Sequence, residues 1–321
     1  MAAHDAPLHG VDLRLLRIFQ QVVRSNGFSA AQEPLGMTQA TISAHMKQLE
    51  DRLGVRLCER GRSGFYLTEQ GKQVHSAMLD LFGSIEGFQS AVAAARGEIA
   101  GTLHFGTVDA MHTNPEFDLA GAIADFHARA PKVQVELDVA APQALAQGLL
   151  SGRYHVVLTP SQPFARRVRA VEVFAERQML YCGTAHPLFA APEAALTTAV
   201  LAEYPFAGRS YMNEASICGV SFNWSAVTSH MEGTALLIGS GAYLGFLPAH
   251  FAAQWVSRGR MRSLLPDTLR FDDRFQVAHL QKDPNPAVDL LAAALQRQAE
   301  ALPRREAPSA GGRATTSARS M

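Results

Sequence analysis

The chain has 321 residues, 47% of them hydrophobic and 18% charged, with 29 basic residues against 29 acidic ones. This length and composition predict a globular protein of two or three domains, and a formal charge of zero argues against a strongly basic nucleic-acid binder. Three scattered cysteines, Cys58, Cys182 and Cys218, argue against a disulfide scaffold or a zinc site and for reduced, packed thiols.

The opening "MAAHDAPLHG" has no basic segment followed by an apolar run, so no secretory leader is expected, and no stretch reaches the ~18 apolar residues that cross a bilayer. A cytoplasmic protein with no membrane contact is the expectation. "VDLRLLRIFQQVVRSNGF" then reads as a helix. Asp12 is its candidate cap, Leu15, Leu16, Phe19, Val22 and Val23 recur at helical spacing, and Asn26-Gly27 ends it. In "FSAAQEPLGM", Ser29 and Gln32 have capping-box spacing, Ala30 and Ala31 permit close helix contact, and Leu35-Gly36 makes a turn.

"MTQATISAHMKQLEDRLG" follows. Thr38 is the candidate N-cap, Ile42, Met46, Leu49 and Leu53 form a buried stripe, and Gly54 suits the C-terminal cap. The other face presents Gln39, Ala40, Thr41, Ser43, His45 and Lys47. Two short helices, the second with a polar, exposed start, describe a helix-turn-helix whose second helix enters the DNA major groove. Glutamine can bond adenine in two places, and serine and threonine hydroxyls bond several bases or phosphates. The plainer alternative for this stretch alone is a well-capped surface helix.

In "GVRLCERGRSGFYLTEQG" the arginines Arg56, Arg60 and Arg62 precede a turn at Ser63-Gly64, and "FYLT" runs back. The pattern predicts a small hairpin wing that carries arginines to the phosphate backbone. From Thr68 a helix of ~28 residues, ~42 Å long, is expected. Its apolar positions Val74, Met78, Leu81, Ile85, Phe88, Val92 and Ala95 step by four and three, the heptad seam of a coiled coil. The seam could pack on its own domain, but its length favours pairing with a second chain, which would present two reading helices to two half-sites.

At this point the residues resemble the LysR-type transcriptional regulators. Ala30-Ala31, Leu35, Thr38-Gln39, Ser43, Leu49-Glu50, Leu53-Gly54, Leu57, Arg60, Leu67-Thr68 and Gly71 stand where that family's usual residues stand, and the likeness runs from Leu13 to about Leu302. Two departures are evident. Ala44 and His45 occupy positions where the family often has arginine and glutamine. Pro34 falls inside the first helix of the motif, where it removes one backbone bond and predicts a local distortion. The resemblance implies a winged helix-turn-helix, a dimerising linker helix and a two-lobed, periplasmic-binding-protein-like effector domain. It also implies assembly as a homodimer or homotetramer on double-stranded promoter DNA, control by a small-molecule effector, and RNA polymerase as a candidate partner.

Read independently, the remaining residues alternate between strand and helix. "TLHFGT", "VQVELDV", "YHVVLTP", "RQMLYCG", "YPFAG", "AYLGFLP" and "RFQVAHLQ" read as strands, with helical stretches between them. In "VQVELDV", Val133, Val135, Leu137 and Val139 share one face. This order predicts parallel sheets with crossover helices in two α/β halves, joined by crossing segments near 160–169 and 265–271. The expected class is therefore α/β with an all-α winged helix-turn-helix at the N-terminus. The expected domains are 1–67 for DNA binding, 68–97 for the linker helix and 98–302 for the effector domain. Within the last, one lobe takes about 98–163 and 270–302, and the other about 164–269. The tail, 303–321, is expected to be disordered.

Ligands of such sheets bind beyond the carboxyl ends of strands. Those ends, 107–114, 159–162, 207–211 and 245–248, hold the candidate effector residues Thr107, Asp109, His112, Ser161 and Phe246; across the cleft, "TSHMEG" starts a helix where Ser229 and His230 are candidates whose N–H groups could seat an anion. Asp109 and Glu232 near one cleft would oppose an anionic ligand and favour a neutral or amine-bearing one. No G-x-S-x-G, P-loop, G-x-G-x-x-G or H-E-x-x-H motif is present, so no catalytic residue, metal or cofactor is expected. The alternative function is a cytoplasmic small-molecule-binding protein or an enzyme that uses the α/β part.

Overall fold

The computed structural model describes residues 9–61, 64–212 and 216–300. The chain divides into two compact units. Unit 1 holds the described residues up to Thr107, with 130–157 and 279–288; unit 2 holds 108–129, 158–278 and the described residues from 289 onward.

Unit 1 opens with α1 (Gly10–Arg24), α2 (Gln32–Leu35) and α3 (Gln39–Leu53). The cap of α1 is His9, not Asp12. Asp12 lies two residues inside the helix, where its carboxylate accepts the His9 backbone N–H at 2.7 Å. Asp12 also receives the Arg52 guanidinium from α3, and this pairing holds its carboxyl down at about 2. The distortion expected from Pro34 is visible: α2 has only four residues, capped by Gly36 at φ 60. The Ser29–Gln32 capping box does not form; the Gln32 amide donates to the Ser29 carbonyl at 3.1 Å and the N-cap is Ala31. Leu15, Phe19, Val22, Ile42, Met46, Leu49 and Leu57 make the core of this part.

The wing is β1 (Cys58–Gly61) paired antiparallel with β2 (Gly64–Leu67). Then α4 (Glu69–Ala95) runs for 27 residues. Thr68 caps it as expected: its hydroxyl accepts Gly71 N–H at 2.8 Å and donates to the Arg56 carbonyl. A Cβ on Gly71 would lie 1.8 Å from the Leu57 carbonyl oxygen, so only glycine lets helix and wing approach this closely. Next, β3 (Ala100–Thr107) pairs in parallel with β4 (Lys132–Val139), and α6 (Pro142–Leu150) follows β4.

In β4 the expected apolar face is buried only at its start. Val133 is buried, whereas Leu137 and Val139 are about half exposed (50% and 49%). Strand β4 ends the sheet order, with β3 as its neighbour, so its far residues lack cover.

Unit 2 contains α5 (Leu119–Arg129), the end of β5 (Val156–Pro160), β6 (Val168–Gly183), α7 (Thr198–Glu203), β7 (Pro205–Arg209) and β8 (Asn223–Thr228). It continues with α8 (Met231–Gly239), β9 (Gly245–Pro248), α9 (Ala249–Val256), β10 (Met261–Ser263), β11 (Arg270–Leu280) and most of α10 (Pro286–Glu300). The strand order is β10-β6-β11-β5, with β9 also on β6; β7 and β8 form a separate parallel pair. Pairing of β6 with β9 and with β10 is antiparallel, so antiparallel strands accompany the parallel ones expected from βαβ alternation. The core is aromatic: Phe206 stacks on Phe222 and meets Trp224 and Phe246 edge-on.

Four strands depart from the sequence expectation. β6 starts at Val168 and β11 at Arg270, each inside a segment read as a crossing, and β8 and β10 were not anticipated. Cys58 and Cys182 are buried thiols, but Cys218 is exposed, with Sγ 3.4 Å from the Arg270 carbonyl. The tail, 303–321, lies outside the described residues.

Candidate functional site

The first candidate surface is the start of α3. The Thr38 hydroxyl accepts the Thr41 N–H at 3.2 Å, and the Gln32 side-chain carbonyl accepts the Gln39 N–H at 3.1 Å. Two of the orphan donors of the helix start are thereby satisfied by the chain itself, which fixes the angle between α2 and α3. Ile42, Met46 and Leu49 anchor the opposite face. Thr38, Gln39, Ala40, Thr41, Ala44 and Lys47 are exposed, and Ser43 and His45 are partly so. The Ser43 hydroxyl donates to the Gln39 carbonyl at 2.7 Å. The result is a rigidly held helix with a polar, uncovered first two turns.

Arg56 is exposed beside this helix. Glu50 locks the approach to the wing by accepting the N–H groups of Leu57 (2.8 Å) and Cys58 (3.4 Å). Arg60 lies in β1, opposite Phe65. Arg62 and Ser63 lie outside the described residues.

Along α4 the seam divides. Met78 is buried in the core of unit 1, and Val74, Leu81 and Ile85 pack partly against that core. Met78 thus serves the chain's own fold and is not free for pairing. Phe88 and Val92 are 70% and 37% exposed.

The second candidate site lies in unit 2, at strand ends. The loop after β3 starts at Val108, carries Asp109 and passes through Ala110 in the left-handed region (φ 61). The Thr113 hydroxyl donates back to the Ala110 carbonyl at 3.0 Å. The Asp109 carboxylate accepts the Met231 N–H, the first of α8, at 2.6 Å, with His230 Nδ1 at 3.8 Å. Burial raises its pKa above the ordinary aspartate value, against the pull of that hydrogen bond and of the charges on His230 and Arg209.

From Thr113 a buried polar chain leads inward. Thr113 Oγ1 and His250 Nδ1 are 2.8 Å apart, and His250 Nε2 and Glu176 Oε1 are 2.7 Å apart. Gln178 donates to Glu176 Oε2 at 2.7 Å, and Arg209 Nη2 donates to Gln178 Oε1 at 2.5 Å and to the Phe246 carbonyl at 3.1 Å. Arg209 Nη1 reaches the Tyr211 hydroxyl at 3.2 Å. Arg209 is 2% exposed, yet no carboxylate of the described residues forms an ion pair with it, and its Nε has no partner among them. Asn114 Nδ2, Thr159 Oγ1 and Gln162 Nε2 are likewise buried without partners among the described residues.

Of the residues expected at this site, Asp109, Ser229 and His230 come together around the start of α8. The expected anion seat is corrected: the acid seated there is the chain's own Asp109, held by Met231, while the His230 N–H turns to the Thr228 hydroxyl at 3.4 Å. His112 and Ser161 are exposed, and the Ser161 N–H is spent on the Arg274 carbonyl at 2.6 Å. Phe246 is a core side chain packed on Phe206, Phe222 and Phe271; only its carbonyl serves the site. Thr107 belongs to unit 1, where its hydroxyl is buried without a partner among the described residues. Arg209 falls in the expected strand end 207–211 but was not singled out, and Gln178, Glu176 and His250 were not anticipated. The signal available for Arg209 was an arginine closing the apolar strand "PFAGR".

Comparison with known proteins adds the following. The family model described as "LysR substrate binding domain" matches residues 96–300, and that described as "Bacterial regulatory helix-turn-helix protein, lysR family" matches 13–72. The HTH-type transcriptional activator BauR of Pseudomonas aeruginosa is 34% identical over 262 residues, covering 81% of this chain and 86% of that protein. Among solved structures, CbnR, a LysR family transcriptional regulator, superposes with a TM-score of 0.62 at 19% identity over 89% of this chain and 99% of its own. Full-length CbnR complexed with its target DNA gives 0.61 at 19% identity, over 90% and 99% of the two chains. These two likenesses concern the fold.

Proposed function

The chain belongs to the LysR family of bacterial transcriptional regulators, and from that premise we propose that it reads promoter DNA with α3 under the control of a small molecule bound in its C-terminal α/β part. Residues 1–67 would bind DNA, 68–97 would pair two copies, and 98–302 would hold the effector. Thr38, Gln39, Thr41, Ser43, His45 and Lys47 would meet base edges and nearby phosphates, with Arg56, Arg60 and Arg62 on the backbone. The chain would act in the cytoplasm as a homodimer or homotetramer, without a catalytic step, and would influence RNA polymerase at the promoter. No helix among the described residues is long and apolar enough to cross a membrane.

The observation that carries the DNA reading is the start of α3. Its first turns are capped by the chain's own Thr38 and Gln32, yet its polar side chains are left uncovered. A helix so fixed presents hydroxyl and amide groups to a groove without first having to order itself. With a formal charge of zero for the whole chain, affinity must come from local arginines and lysines and should therefore be salt-sensitive. The test is a mobility shift on the DNA upstream of the chain's own gene in rising salt. Retardation that weakens steeply with salt, and survives an excess of unrelated DNA, supports the proposal; no retardation at low salt rejects it.

A further inference from the structure

Resting on the reading of unit 2 as an effector domain, we infer that the ligand is an amino-carboxylate zwitterion, its carboxylate taken by Arg209 and its ammonium by Asp109. The inference starts from Arg209. A guanidinium removed from water is costly unless a countercharge or a full set of acceptors replaces the water. Arg209 has acceptors at both terminal nitrogens, all of them neutral: the Gln178 amide, the Phe246 carbonyl and the Tyr211 hydroxyl. Its Nε is buried and lacks a partner among the described residues. Gln178 is itself held by Glu176, and Glu176 by His250, so the guanidinium is fixed in place by a chain of side chains and does not simply fill space. Such a group is set up to receive an anion.

Of the other orphaned atoms of unit 2 among the described residues (Asn114 Nδ2, Thr159 Oγ1, Gln162 Nε2 and His186 Nε2), two side-chain amides bear on the same ligand. Asn114 Nδ2 and Gln162 Nε2 are donors without acceptors, and the Asn114 orientation is fixed because its Oδ1 accepts the Glu116 N–H at 2.9 Å. Both follow strand ends and Arg209 is the last residue of β7, in the region where α/β sheets hold ligands. Donor groups that await an acceptor describe the carboxylate half of a ligand.

Asp109 supplies the other half. It is a mostly buried carboxylate, with 19% of its side chain exposed, and it feels the charge of Arg209. A plain carboxylate brought to Arg209 would be repelled by Asp109. A plain amine at Asp109 would be repelled by Arg209. A zwitterion satisfies both, and its ammonium gives Asp109 a countercharge that the backbone N–H of Met231 cannot provide. Contact with Asp109 would also bear on the start of α8, because the same carboxylate holds Met231.

The test is calorimetric titration of the full-length chain with the α-amino acids and with the unbranched ω-amino acids from glycine to 6-aminohexanoate. The best binder is then compared with the alkanoate that lacks its nitrogen and the alkylamine that lacks its carboxylate. The expected result is one zwitterion that binds, with each single-charge analogue about tenfold weaker or worse, the scale of losing one charge-assisted hydrogen bond. Arg209→Gln should abolish binding. Asp109→Asn should weaken the zwitterion by about tenfold while the alkanoate binds as well as before or better, since its repulsion is gone. Because Arg209 is buried and its variant can misfold, Asp109→Asn provides the independent reading. An alkanoate that binds the native chain as tightly as the zwitterion, an Asp109→Asn chain with unchanged preference, or a panel in which nothing binds overturns the inference. Salt-dependent DNA retardation by the same native preparation separates that outcome from failure of the regulator reading, in which retardation is absent too.

Discussion

Gln39 stands at a position where two roles can be separated. Its backbone N–H is held by Gln32, so the side chain can be removed without loosening the helix start. Gln39→Ala should weaken binding to the specific site by about tenfold or more, the scale of one bidentate base contact, and leave binding to unrelated DNA unchanged. Equal losses on both DNAs in a mobility shift would make Gln39 a positioning residue. Ala110 is a different case. It sits at φ 61 with no side chain that could compensate, a conformation that costs an L-residue roughly 1–2 kcal/mol and glycine almost nothing. Ala110→Gly should therefore raise stability by about 1 kcal/mol, less what the freer unfolded chain takes back, read as a higher denaturation midpoint. Thr38 was legible as a cap because capping chemistry involves only the next three residues. Arg209 was not, because its importance lies in partners, Gln178 and Phe246, that only folding brings to it.

At the level of elements, α4 shows how a seam can serve two purposes. A heptad pattern announces which residues share a face but not what covers it. Its first half packs on the chain's own core through Met78 and Phe82, so Leu81→Asp would disturb folding and assembly together. Phe88 is a cleaner probe. It is 70% exposed, so Phe88→Asp should leave the monomer's fold intact and remove an apolar contact of about 1.5–3 kcal/mol per copy if that face pairs. Sedimentation should then show dissociation at concentrations where the parent chain is assembled; an unchanged profile would assign pairing to another face. Strand β6 shows why a long element escaped notice. Its charged residues find partners on β11, with Arg177 donating to Asp272 at 2.9 Å and Arg274 to Glu172 at 3.1 Å. Read along one segment, those charges look like a loop; read across two strands, they are pairs. In β8 the exposed positions are Asn223, Ser225 and Val227 and the partly covered ones Trp224, Ala226 and Thr228, so neither face reads as a clean apolar one.

For the molecule as a whole, unit 1 carries a proton-linked contact between the linker helix and the sheet. His104 Nε2 is 3.0 Å from Glu86 of α4, and its Nδ1 is 3.2 Å from Glu136 of β4. Glu86 above all raises its pKa over the ordinary value of 6.5, against the opposing effects of burial and Arg24. The folded chain thus keeps a proton that the unfolded chain would release. This stabilisation is full below 6.5 and is lost as pH rises through the higher folded value. Neighbouring His155, whose pKa burial lowers, acts in the opposite sense and costs stability as pH falls. Glu86→Gln should lower the melting temperature most below pH 6.5 and least in alkaline buffer; a loss independent of pH would reduce the contact to packing.

What the sequence determined by itself was whatever depends on near neighbours along the chain: the capped helix α3, the β1–β2 hairpin, the long helix α4, the alternation of strand and helix, and through the family motif the regulator class. The tertiary structure alone decided which carboxylate sits at the start of α8, which arginine is buried without an ion pair among the described residues, and how far β6 and β11 extend. Those outcomes rest on contacts between residues dozens of positions apart, such as Asp109 with Met231. Charge and hydrogen bonding act through space, and no local pattern of side chains records which distant partner will arrive.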